Sequence, residues 1–281
     1  MITDAPRAVA VALRSVFAGK GAYSRVVSVL NRRGWQRALP FAFSLAAVTI
    51  GCVVKPPSAA PVPACPAEMA RVGAYCIDVY EAHVVELDAE GHEKPHSPYA
   101  VVDGITVRAK TSRGVVPQGY ISQVQAAEAC AHAGKRLCTG AEFFNACSGA
   151  NPENDYPYGG KVHKPGVCNE GKGSSMPRFF GWNAAKWTYA DFNDPRLNAW
   201  DGGLATTGSH EGCRSQFGIY DCVGNLHEWV DEPLENGRGH FHGGFYGDAE
   251  INGHGCRYVT RAHGPKYHDY STGFRCCADP K

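Results

Sequence analysis

No Cys-x-x-Cys pair occurs in this chain of 281 residues, and its body carries no cluster of Lys and Arg. No uncharged apolar run reaches the roughly 18–20 residues that a membrane-spanning helix needs. The first absence argues against a thiolate zinc site, and the adjacent Cys276-Cys277 is a poor chelating spacing. The second excludes nucleic acid, because phosphate binding needs clustered cations. The net charge of +1 conceals a split. Residues 1–51 hold seven basic residues and a single acid, Asp4, which leaves 21 basic and 26 acidic residues from Cys52 onward. The body is therefore acidic.

The basic run Asn31-Arg32-Arg33-Gly34-Trp35-Gln36-Arg37 precedes the apolar segment ALPFAFSLAAVTIG, Ala38 to Gly51. A basic segment, a short apolar segment and small residues at a cut site describe a secretory signal over residues 1–51. Cleavage before Cys52 would resemble a bacterial lipoprotein signal, with lipid on the new N-terminal cysteine tethering the protein to a membrane. An ordinary cleavable signal and a short anchor are the alternatives. Residues 52–64 are rich in Pro, Ser and Ala without amphipathic period and read as an extended tether. The folded domain is expected over 65–281, in the cell envelope or outside the cell.

Apart from Cys52, eleven cysteines remain. That density fits an exported domain stapled by disulfides, and the odd count leaves at least one thiol outside the internal pairs. Spacing alone does not fix connectivity, although Cys65–Cys76 makes an attractive local loop.

Helical periodicity is confined to a few stretches. Ser122 with Gln125, and Thr139 with Glu142, have capping-box spacing, and Gly134 supplies a stop, so two short helices are expected, joined by Lys135-Arg136-Leu137-Cys138. Elsewhere Gly, Pro, Asn and Asp recur between aromatic residues and short apolar runs such as Ile77-Asp78-Val79-Tyr80, which predicts irregular backbone with few, short strands. There is no internal repeat.

Six elements in order resemble the formylglycine-generating enzyme, or sulfatase-modifying factor, family. They are Cys65-Pro66-Ala67-Glu68-Met69 through Tyr75-Cys76-Ile77-Asp78-Val79-Tyr80-Glu81; AGKRLCTGAEF from Ala133 to Phe143, similar to AGKRLPTEAEW; Tyr156-Pro157-Tyr158-Gly159 for YPWG; FGIYDCVGNLHEW from Phe217 to Trp229 for GLYDMVGNVWEW; His242-Gly243-Gly244-Phe245 for RGGS; and Gly273-Phe274-Arg275-Cys276 for the closing GFR. The resemblance implies an α+β, C-type-lectin-like fold, loop-rich and disulfide-stapled.

Catalytic members of that family hold Cu(I) between two cysteines after the RGGS element, since a soft, near-linear cation prefers two soft donors. The window from Gly244 to Arg261 holds one cysteine, Cys256, and residues such as Gly247 and Asp248 stand at the other position. Copper is therefore not expected, and no catalytic residue is assigned. The family pattern implies disulfides Cys130–Cys276 and Cys147–Cys256. Cys138–Cys277 and Cys168–Cys213 would complete the set beside Cys65–Cys76, with Cys222 a buried free thiol.

The resemblance also implies structural calcium at Asp221, Gly224, Leu226 and Glu228, two carboxylates with backbone carbonyls being hard oxygen donors. A second calcium would involve Asn169 and Glu170 with Asp194 or Asp201. His240 and His242 share one strand face, a spacing able to chelate a transition metal. The lectin-like fold places His240, His242, Tyr246 and His268 beside a ligand groove suited to a peptide or glycan. Trp182, Trp187, Trp200 and Trp229 read as core. Two functions follow: an exported, lipid-anchored binding or envelope accessory module with an unidentified protein, peptide or glycan ligand, or an enzyme, either a divergent metal-dependent oxidase or a formylglycine-generating enzyme oxidising a protein cysteine.

Overall fold

A computed structural model describes residues 64–281. The expected signal over 1–51, lipidation at Cys52 and the tether before residue 64 lie outside the described residues. Eleven strands are present: β1 (Met69–Val72), β2 (Tyr75–Asp78), β3 (Ala82–Leu87), β4 (Glu93–Pro95), β5 (Val107–Thr111), β6 (Arg136–Leu137), β7 (His227–Glu235), β8 (Arg238–His242), β9 (Val259–Thr260), β10 (Thr272–Phe274) and β11 (Cys276–Ala278). The helices are α1 (Gln123–His132), α2 (Gly140–Ser148) and three of one turn or little more, α3 (Met176–Phe180), α4 (Tyr189–Phe192) and α5 (Arg196–Ala199). No helix among the described residues is long and apolar enough to cross a membrane.

Strands form three small sheets, ordered β1-β2-β11-β6, β10-β7-β8-β9 and β4-β3-β5. Among the strand pairs of the described residues, β10–β7 alone is parallel. The backbone between Ser112 and Gly119, and from Gly149 to His227 outside the short helices, is irregular, as the recurring Gly and Asn imply.

Both capping boxes form. The Ser122 hydroxyl accepts from the Gln125 N–H while Gln125 accepts from the Ser122 N–H at 2.9 Å, and Thr139 and Glu142 repeat the exchange around α2. On α1 the buried positions Gln123, Ala126, Ala129 and Cys130 share one face, and the small Ala side chains let the helix lie close to the sheets.

Adjacent cysteines in β11 serve two layers. Side chains alternate along a strand, so Cys276 faces one apolar cluster with Leu137, Trp229 and Phe274, while Cys277 faces another with Ile77, Phe143 and Val230. Cys276 bonds to Cys130 of α1 and Cys277 to Cys138, just ahead of α2. Cys65–Cys76, Cys147–Cys256 and Cys168–Cys213 are the remaining bridges, and Cys222 is a buried free thiol. Burial pushes that thiol up to about 12.

Of the four tryptophans read as core, Trp229 is buried at the centre of its cluster and Trp187 and Trp200 are packed partly buried. Trp182 is a correction: 88% of its surface is exposed. It follows the α3 C-cap, Gly181, in a turn that points away from the core.

Candidate functional site

Where the family pattern would place a thiolate, Cys256 is bonded to Cys147 of α2, with their Cα atoms 5.6 Å apart. The bridge borders an open cavity of about 250 Å³ lined by Phe144, His242, Cys256, Arg257 and Val259. Three elements build it: α2 supplies Phe144, β8 supplies His242, and the 3-10 turn Gly255–Arg257 with β9 supplies the rest. The Arg257 guanidinium lies 4.9 Å above the Phe144 ring and donates to Asp155 at 2.5 Å, which fixes one wall.

His242 lies below this wall, 5.4 Å from the Phe143 ring. Its approach to α2 depends on Gly140. A β-carbon there would fall 2.6 Å from Glu232 Oε1 and 3.0 Å from His242 Nε2. The Gly140 N–H instead donates to Glu232 Oε1 at 2.7 Å, so a carboxylate from β7 caps the positive end of α2. Burial, with His240 and Arg261 nearby, pushes the His242 imidazole down to about 4. His242 Nδ1 and His240 Nε2 are buried without a hydrogen-bond partner.

The four residues expected to line one groove lie in different surroundings. His240 and His242 are near neighbours on β8. His268 instead bonds Asn193 Oδ1 at 2.8 Å, pairs with Asp103 at 3.3 Å and packs on Tyr189. Tyr246 is fully buried, its hydroxyl donating to the Leu197 carbonyl, and is a core residue. The Gly-rich loop after β8 turns Tyr246 inward, which its sequence position alone does not reveal.

A second constellation is internal. Asp78, Glu81, Asp221 and Glu228 are buried together; the buried Arg275 pairs with Glu228 and the partly buried Lys135 with Asp78. Glu228 gives both oxygens to Arg275, at 2.5 and 2.6 Å. Glu81 accepts from the Leu226 N–H and the Asn225 amide. Burial raises the Glu81 carboxyl well above the ordinary range, with Asp221 and Glu228 adding to the effect. Burial likewise pushes Asp221 up to about 6. Glu228 and Arg275 belong to motifs legible in the sequence, but their pairing there carried no signal.

This arrangement bears on calcium. An acid excess in the interior is the donor chemistry a hard cation suits, and Asp221, of the expected set, is a buried carboxylate whose Oδ2 accepts from the Gly208 N–H at 2.6 Å. Glu228 does not fit that set, because a cation there would meet the Arg275 guanidinium. For the second set, Glu170 bonds His163 at 2.9 Å, and Asp194 is held by Arg196. Asn169 binds Gly203 and Asn225 through its amide N–H groups and leaves Oδ1 buried without a partner.

The Sulfatase-modifying factor enzyme 1-like domain model matches residues 56–280. The chain belongs to that family. Its α+β, loop-rich architecture is the C-type-lectin-like fold expected of a member. Among solved structures, it matches the Major Tropism Determinant I1 variant at 16% identity and TM-score 0.43, over 78% of this chain and 54% of that one, about half of that chain's length. PvdO from Pseudomonas aeruginosa matches at 14% identity and TM-score 0.44, with 73% and 80% covered. CarF matches at 15% and 0.47, with 74% and 87% covered. No curated protein matches the chain.

Within the family pattern, Gly140 stands where the AGKRLPTEAEW element has Glu, and Glu232 of β7 brings a carboxylate to the same helix end. The RGGS element survives as His242-Gly243-Gly244-Phe245, and a β-carbon at Gly243 would meet the Cys222 carbonyl at 2.5 Å. A β-carbon at Gly244 would meet Ala249 Cα at 2.5 Å, so both glycines of the element stand at close approaches while its outer two positions differ.

Proposed function

We propose that this family member is an exported binding module, and that its ligand site is the cleft over the Cys147–Cys256 bridge. The observation that carries the reading is the state of Cys256. Its sulfur is committed to Cys147, and Cys222, the free cysteine among the described residues, is buried with its thiol held protonated. Copper oxidation of a substrate cysteine needs two available thiolates. The cavity instead offers Phe144 and Val259 as apolar walls and Arg257 at the rim, suited to one side chain of a peptide or one sugar ring. Five disulfides support an oxidising compartment outside the cytoplasm. Lipid on Cys52 would then hold the domain at the cell envelope, and calcium at Asp221 would steady its interior.

The test is copper loading of protein purified without reductant, in competition with a chromophoric Cu(I) chelator. No stoichiometric Cu(I) site is expected. A tight site lost in Cys256→Ser would replace the binding module with an oxidase. A displayed peptide library should yield ligands whose binding is abolished by Val259→Trp, which fills the cavity.

A second reading, a metal-dependent oxidase, draws on the unpartnered nitrogens of His240 and His242. Calorimetric titration with Zn²⁺ and Cu²⁺ decides it: stoichiometric binding lost in His242→Gln favours the oxidase, and no heat favours the module.

A further inference from the structure

Between Lys172 and Ala190 the chain carries three cations, Lys172, Arg178 and Lys186, and no acid, in a body that is otherwise acidic. The same stretch holds Trp182, the most exposed large hydrophobic side chain described. Its presentation is built. Helix α3 ends at Gly181, whose φ of 74° turns the chain sharply, and the Trp187 indole N–H donates back to the Gly181 carbonyl at 3.1 Å. Between those two points a 3-10 turn, Ala184–Lys186, closes the loop. Trp187 packs edge-on against Phe192 and anchors the turn in the aromatic cluster. One tryptophan is thus the root of the turn and the other its tip, with Lys186 next to the root in sequence. Arg178 stacks at 4.3 Å on Trp200 at the base, which holds its charge at the surface.

We propose that the turn from Gly181 to Trp187 is a membrane-contact element that seats Trp182 in the interface of an anionic phospholipid bilayer. An indole half in water and half in acyl chains satisfies both its apolar ring and its N–H. Lys186, exposed at the end of the 3-10 turn, is the cation that meets lipid phosphates, while acidic charges are screened beyond roughly 8–10 Å at physiological salt.

The experiment is co-sedimentation of the full chain carrying Cys52→Ser with vesicles of phosphatidylcholine alone or mixed with phosphatidylglycerol. Binding to the mixed vesicles is expected, and high salt should weaken it. Trp182→Ala should lower the partition about tenfold, as lost apolar burial implies. Lys186→Ala should lower it about fivefold on anionic vesicles only. Quenching by brominated lipid should fall in Trp182→Ala, and the exposure of that side chain means its melting temperature should match the parent. Equal binding by parent and Trp182→Ala overturns the proposal. So does Trp182-dependent binding to a soluble polysaccharide with none to vesicles, which would make the turn a glycan platform.

Discussion

Arg275 grips Glu228 inside the core through two hydrogen bonds, Nε to Oε2 at 2.5 Å and Nη2 to Oε1 at 2.6 Å. Parallel pairing of β10 with β7 sets Gly273 opposite Glu228, and Arg275 follows two residues later. Its guanidinium also donates to the carbonyls of Asp78 and Tyr220, so it joins β2, the 217–226 loop and the second sheet.

Removing one partner leaves a buried charge alone. Glu228→Gln or Arg275→Met should each destabilise by about 3–5 kcal/mol in urea unfolding. The double change Glu228→Leu with Arg275→Met should cost much less than the sum of the two. Additive losses would show that the pair is not the unit.

Calcium and Asp221 give a separate expectation. Chelator should lower the melting temperature, and Asp221→Asn should remove that dependence while Glu228→Gln leaves it in place. A melting temperature indifferent to chelator removes the ion from the account.

Acidification should act through His242. Its folded value of about 4 lies below the ordinary imidazole value near 6.5, so between those pH values the unfolded chain binds a proton that the folded chain refuses. Stability is therefore present above about 6.5 and falls as pH drops towards 4, by at most about 3 kcal/mol from this residue. Asp78 and Glu81, raised by burial, act in the opposite sense. The readout is therefore the parent minus His242→Gln, which should show the decline. A flat difference would contradict the burial of a neutral ring.

Bridges should differ in worth with the length of chain they close. Cys65–Cys76 encloses a separation of 11 residues and Cys130–Cys276 one of 146. Replacing the first pair by Ser should cost about 3 kcal/mol and the second about 5, if loop entropy governs. Calorimetry of the two double variants measures the order, and a reversed order would mean that native packing outweighs the loop term.

The family was legible because its elements are local strings, and both long helices were legible because a capping box closes within four residues. The cysteines were half legible. Their number and oxidising context follow from composition, while the pairings came through family resemblance. In the structure, strand alternation gives the adjacent Cys276 and Cys277 to different layers. The groove was the weakest reading, since His240, His242, Tyr246 and His268 are close in sequence but separated by turns whose direction depends on packing.

What the sequence determined by itself was the covalent inventory: a single cysteine in the copper window, capping residues at fixed spacing, and an acidic body behind a basic first 51 residues. Those follow from residue type and short-range spacing, which folding does not alter. Tertiary structure decided the rest: that Glu228 serves Arg275, that Tyr246 is core, and that Trp182 faces out while Trp187 faces in. Each depends on which distant segment occupies the space beside a side chain, and that is set by the packing of the whole domain.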